Sequence, residues 1–277
     1  MKLFGRFGLF AILTGWIGSC APITVQSYSV EYVYENRRVA DVGDPAWSEK
    51  IVYTFDSEKT ERVISGAVYE EGDGTKPVAF LLFTYWDLEN LSNRVVDNRL
   101  HTVERYSDSD IFKTENGVKT KDPVRAASRL ICYDVYETDP KDGKCLSVKT
   151  YRYNGEDPVI ENRNVPMRST EYKYFSNVTD RFLPEEEMIS LFLVDRWVYQ
   201  SAVRTEYKKV GGKKQPAVKY YYINPLSDRS LYAVETYMYG EDGSLRRKEY
   251  YTAGEYNKAE SVRVPETTVL YVTEDHL

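Results

Sequence analysis

The stretch "LYAVETYMYGEDGSLRRKEYYTAG", residues 231–254, contains a complete folding unit. Tyr237 and Tyr239 are two apart, so in an extended chain both project from one face. "GEDG" at 240–243 supplies the Gly and Asp of a tight turn. Alternation resumes in "LRRKEYY", which makes strand, turn and return strand legible as a β-hairpin.

The same arrangement recurs outward from this unit. The chain holds 25 tyrosines, and Tyr32/Tyr34, Tyr151/Tyr153, Tyr172/Tyr174 and Tyr220/Tyr222 are further Tyr-x-Tyr pairs. Tyrosine favours strands, and pairs on one face form cross-strand ladders. Turn signals stand between them: "EEGDG" at 70–74, "DPKDG" at 139–143, "NGEDP" at 154–158 and "VGG" at 210–212. The pairs fall at uneven steps, which argues against a strict solenoid or propeller.

Two stretches break the rhythm. "PVAFLLFTYW", 77–86, is apolar on both faces and suits a strand covered on both sides. "LPEEEMISLFLVDRWVYQ", 183–200, opens with Pro184 and three glutamates, which fits a helix start with acids in its first turn, followed by a strand from about Arg196. "DPVRAASRLI", 122–131, reads as a short helix, and "WDLENLSNRVVDN", 86–98, as a third helix or a polar loop. The expected class is mainly β: a large curved antiparallel sheet or open barrel built of successive hairpins, with one to three short helices. Residues 25–277 are expected to form a single β-rich domain, a division near 120 being the alternative. "YMYGEDGSLRRKEYY", 237–251, resembles the Tyr-rich hairpins of YD-type and variant MORN repeats, a resemblance that implies hairpin architecture and no function.

At the N-terminus, "MKLFGR" carries Lys2 and Arg6 and no acid, and Phe7 to Ile17 is largely apolar. A basic start, a short apolar run and small residues describe an export signal. "IGSC", 17–20, is similar to the bacterial lipobox. That resemblance implies cleavage after residue 19, diacylation of the Cys20 sulfur and acylation of its new amine. It also implies a cell-envelope lipoprotein held to a membrane through Cys20. Ala21 lacks the retention-type aspartate known from such systems, which favours the outer membrane. Residues 21–24, "APIT", form a tether of roughly 14 Å at most.

The net charge of −6, with no basic tract, argues against nucleic acid and against electrostatic docking on anionic lipid. Cys132 and Cys145 flank a turn, and simple folding there sets Cys145 opposite Glu137, too far from Cys132 for a bridge. Two inert buried thiols are therefore expected. His101 and His276 are the only histidines, and no nucleophile elbow, zinc spacing, phosphate loop or dinucleotide fingerprint accompanies them. Asp108 and Asp110 in "YSDSDIF" fall short of the oxygens a calcium loop needs. Glu185, Glu186 and Glu187 are explained by the expected helix start. No catalytic residue, metal or cofactor is therefore assigned.

Exposed tyrosine is common at interfaces. Tyr220, Tyr222, Tyr237 and Tyr239 are the candidates for a recognition surface. Three functions follow in order: a non-enzymatic binding or structural module with an envelope protein or apolar ligand as partner; a carrier of lipid or another apolar molecule lined by 77–86 and 189–198; and a hydrolase using paired carboxylates.

Overall fold

The computed structural model describes residues 28–37, 47–56, 62–70, 76–86, 95–115, 118–157, 163–223 and 230–272. The signal segment, Cys20, the tether, His276 and most of 86–98 lie outside these residues.

The chain runs β1 (Tyr28–Glu35), β2 (Glu49–Phe55), β3 (Val63–Glu70), β4 (Ala79–Tyr85), β5 (Leu100–Tyr106), the small hairpin β6 (Phe112–Glu115) and β7 (Val118–Lys121), then helix α1 (Pro123–Arg129). It continues through β8 (Leu130–Thr138), β9 (Cys145–Tyr153), β10 (Asn164–Tyr174), β11 (Pro184–Leu193), β12 (Arg196–Val210), β13 (Lys213–Tyr222), β14 (Leu231–Tyr239) and β15 (Leu245–Thr252). Helix α2 (Ala253–Tyr256) and β16 (Thr267–Val272) complete it. Fourteen strands form one closed antiparallel barrel, each beside its sequence neighbour. β1 closes it by pairing with both β2 and β16, while β6, β7 and α1 are an excursion between the paired β5 and β8. Closure leaves none of the fourteen barrel strands with an open edge, which an open sheet of this size would offer as a template for aggregation.

Cross-strand partners share a face, so the registers separate the wall into two sets. One set makes contacts that skip a strand. Tyr53 of β2 meets Phe83 of β4 with ring centroids 6.3 Å apart, passing over Gly66 of β3. Tyr221 of β13 meets Tyr250 of β15 at 5.7 Å across β14. Such convergence marks the concave face, the lumen. The other set pairs with adjacent strands, as in the Tyr133–Tyr151 stack and the Lys173–Glu186 ion pair, or with segments laid over the wall, and is the outer face.

The run at 77–86 is covered on both sides as expected. Leu81 packs inward with Ile51, Val68 and Ala79, while Phe80 and Leu82 pack outward on Tyr106, Ile111 and Ala126. α1 forms where expected, capped by the Asp122 side chain, which accepts from the backbone N–H groups of Val124 and Arg125.

Residues 184–193 are strand, not helix, which corrects the expectation for 183–200. Neighbouring strands override the local helix signal, because alternate glutamates find opposite faces: Glu186 bonds Lys173 at 3.0 Å outside, and Glu187 bonds Lys219 at 2.6 Å inside. Pro184 begins a strand, where its missing N–H costs no ladder bond. The strand from Arg196 is present, and the four-residue α2 was not anticipated.

Six hairpins share one irregularity. In β2–β3, β4–β5, β8–β9, β10–β11, β12–β13 and β14–β15 the register shifts by one residue near the turn. The extra residue is always on the outgoing strand: Ile64, His101, Leu146, Glu185, Ala217 and Arg246. The bulge at Leu146 sets Cys145 opposite Thr138, not opposite Glu137 as simple folding of the turn suggests. Cys132 lies opposite Arg152, and both cysteines are free thiols.

Candidate functional site

Just before each bulge, the inward residue of the incoming strand is Tyr53, Phe83, Tyr136, Tyr172, Thr205 or Tyr237. Tyr271 of β16 continues the series beside Glu31. The lumen at this level is therefore ringed by aromatic side chains. It is also two-sided. From β2 to β5 its wall has an apolar patch, Ile51, Val68, Ala79, Leu81, Phe83 and Val103, bounded by the paired Glu49 and Glu70 at one end and by Arg105 on β5. From β11 round to β1 it carries charge. Lys219 bonds Glu187, Lys248 lies 3.5 Å from Glu235, the Tyr221 hydroxyl donates to Glu235 at 2.7 Å, and the Tyr53 hydroxyl donates to Glu31 at 3.2 Å.

Electrostatics follow from this enclosure. Burial, reinforced by neighbouring carboxylates, pushes the phenols of Tyr53, Tyr172, Tyr221, Tyr237 and Tyr271 well above the ordinary tyrosine range. Tyr136 is pushed up to about 12, chiefly by burial. Burial also raises Glu31, and the Lys248 ammonium opposes that rise.

The residues just past the bulges form a rim. Tyr85 donates its hydroxyl to the Val63 carbonyl at 3.1 Å, Tyr174 to Cys145 at 2.6 Å, Tyr207 to Pro184 at 2.6 Å, and Tyr239 to Pro216 at 2.8 Å. Each acceptor belongs to the preceding hairpin, at the residue paired with that hairpin's own post-bulge side chain. Four of the six hairpins are thus tied to the one before them. Replacing Tyr174 or Tyr207 by Phe removes one such bond and leaves a carbonyl without its donor. Each substitution is expected to lower stability by about 1 kcal/mol, read as a fall in the urea midpoint at unchanged slope.

Among the proposed recognition tyrosines, Tyr237 and Tyr239 belong to the lumen. Tyr220 and Tyr222 lie on the outer face, where Tyr220 donates to Glu206 and Arg204 stands over Tyr222. The four do not make one surface, because the two pairs occupy opposite sides of the wall. His101 is a bulge residue whose ring lies against Trp86, centroids 3.9 Å apart. Asp108 and Asp110 are held by Arg129 and Arg125 of α1. Among the described residues, no group of three His, Cys, Asp or Glu side chains is placed to hold a metal ion. Burial pushes the Cys145 thiol up to about 11 and raises Cys132 as well. Alkylation of Cys145 in the folded protein should therefore be slow at neutral pH and become fast at once on unfolding in denaturant. Mass spectrometry of the labelled protein reads this.

The rim chain itself escaped the sequence reading. Its one visible trace is a proline at the acceptor position of two hairpins, Pro184 and Pro216, each 23 residues before the tyrosine of the next turn but one.

No protein-family model matches the chain, and no curated protein matches it. Solved structures do. A porin-like protein from Bacteroides uniformis is 12% identical, with a TM-score of 0.37, over 91% of this chain and 98% of its own. A protein of unknown function from Bacteroides fragilis is 12% identical, with a TM-score of 0.31, over 45% of this chain and 85% of its own. At TM-scores below 0.5 these similarities establish neither a shared fold nor a function.

Proposed function

We propose that this protein is a lipid-anchored envelope protein acting as a non-enzymatic binding module, with the barrel lumen as its binding space. The observation that carries this reading is the lumen wall: a ring of tyrosines with an apolar sector on one side and paired charges on the other. Such a wall stacks on rings and chains while offering hydroxyl donors, and its carboxylates Glu187 and Glu235 are already engaged by lysines.

The outer face supports anchoring rather than insertion. Glu104, Glu137, Lys149, Glu171, Lys173 and Arg204 lie on it by register. A lysine or arginine on a lipid-facing barrel surface costs about 2–4 kcal/mol near mid-bilayer, and a carboxylate somewhat less. Acyl chains at Cys20 supply the membrane affinity instead, at about 0.8 kcal/mol per buried methylene. Cys20 precedes Tyr28 by eight residues, a reach of at most about 28 Å. β1 begins beside the end of β2, at the tyrosine rim, so an anchor at Cys20 would hold that rim towards the membrane.

The apolar sector around Ile51, Leu81 and Phe83 favours, as the second reading, carriage of a lipid or other apolar molecule. One experiment separates the two. The full chain is purified in detergent from cells fed an alkyne fatty acid, then analysed by native mass spectrometry before and after denaturing extraction. Label lost in Cys20→Ala supports the anchor, and label that persists refutes it. A copurified lipid mass moves the carrier reading ahead; a polar or aromatic mass supports the binding module.

A further inference from the structure

The rim chain has one break. In the series of acceptors, Leu100 holds the place of Val63, Cys145, Pro184 and Pro216, because it pairs with Tyr85 across the bulge at His101. The next hairpin should bring a tyrosine to it. The residue there is Thr138, whose side chain ends one atom beyond Cβ, where a tyrosine would extend across a whole ring. A cavity of about 320 Å³ occupies the gap, with Leu100 on one side, Thr138 and Cys145 on the other, and Tyr174 at its end. Two cations, Arg99 and Lys144, border it. Lys144 sits 5.3 Å from the Tyr174 ring and 5.4 Å from that of Phe182, beside Asp142 at 2.9 Å. An ammonium has three donors, so the Asp142 contact leaves others for a second anion.

We propose that this gap is a binding site for small p-hydroxyphenyl acids, the ligand's phenol taking the place of the missing tyrosine. The ring would lie between Tyr136 and Tyr174, its hydroxyl donating to the Leu100 carbonyl as the four rim tyrosines donate to theirs. Its carboxylate would meet Arg99 and Lys144. The site gives the binding-module reading a specific ligand class and rests on that reading. It lies in the barrel wall at the rim, and its test uses neither the anchor nor the lumen.

The probe is 4-hydroxyphenylacetate, titrated calorimetrically into the detergent-purified full chain, with phenylacetate as the control. Binding in the high-micromolar to millimolar range is expected, weakening roughly three- to tenfold without the hydroxyl. Thr138→Tyr should fill the gap, abolish binding and raise the melting temperature. Thr138→Phe should abolish binding with a smaller rise. Absence of binding by the wild-type chain overturns the proposal, as does equal affinity for the two acids or undiminished binding by either variant. Because the comparison of the two acids needs only the wild-type protein, failure of a variant to fold leaves the proposal open to refutation. A lipid or aromatic mass found in the lumen without 4-hydroxyphenylacetate binding would leave the binding module standing and remove this site alone.

Discussion

Raising the pH through the ordinary tyrosine range should unfold the barrel in a single steep transition. Six lumen phenols, Tyr53, Tyr136, Tyr172, Tyr221, Tyr237 and Tyr271, have folded-state pKa values above the unfolded value of 10. The sign is fixed by that order. Below pH 10 both states keep their protons, and stability is fully present. Above it the unfolded chain loses protons that the folded barrel retains, so stability falls with every further step. One unit above 10, each phenol contributes about 1.4 kcal/mol to that loss, or about 8 kcal/mol for the six. That equals the whole stability of many domains. In a spectrophotometric titration, exposed phenols should ionise near pH 10, and the rest together with the loss of β-sheet circular dichroism. Gradual, non-cooperative ionisation of all tyrosines near pH 10 would show that the lumen is open to water.

Removing the Glu235 carboxylate should be the most damaging single substitution. It accepts from Tyr221, is hydrogen-bonded to Tyr237, and faces Lys248, with side-chain exposures of only 14% for Glu235 and 28% for Lys248. Glu235→Leu orphans two buried hydroxyls and leaves an ammonium unpaired. The expected loss is about 3 kcal/mol, at the lower end for broken buried pairs because Lys248 keeps some solvent. Glu235→Gln keeps an acceptor and should lose less than half of that. Adding Lys248→Met to Glu235→Leu should recover stability, since no unpaired charge then remains. Denaturant midpoints of the wild type, Glu235→Leu, Lys248→Met and the double variant form the cycle that measures the coupling.

Much of the wall was legible in the sequence because strands announce themselves by alternation. The hairpin at 231–254, the double-sided strand at 77–86 and helix α1 all follow from local pattern. Closure was not legible. Nothing in β1 or β16 alone says that Val30 meets Val272, because that pairing joins the two ends of the chain. The helix expected at 184–193 shows the converse limit, since Pro184 and three acids carry a strong local signal that partners on β10, β12 and β13 outweigh. The site was half visible. The Tyr-x-Tyr pairs pointed to aromatic faces, but which side of the wall a pair occupies depends on one-residue bulges. Tyr220 and Tyr237 accordingly part company although their neighbourhoods read alike. The cavity beside Thr138 was beyond reach, because it exists only by comparison with what the other hairpins place there.

The hydroxyl ties along the rim make hairpins β10–β11 and β12–β13 each both a donor and a receiver of the same bond. Tyr174, Tyr207 and Tyr239 follow one another at intervals of 33 and 32 residues, and each closes on its predecessor in the same way. A unit with identical ends can be duplicated without designing a new junction. Adding one lengthens the circumference by two strands, roughly 10 Å, and leaves every existing contact in place. The girth of this barrel is in that sense a count of copied segments, a dimension that gene duplication can adjust in whole steps.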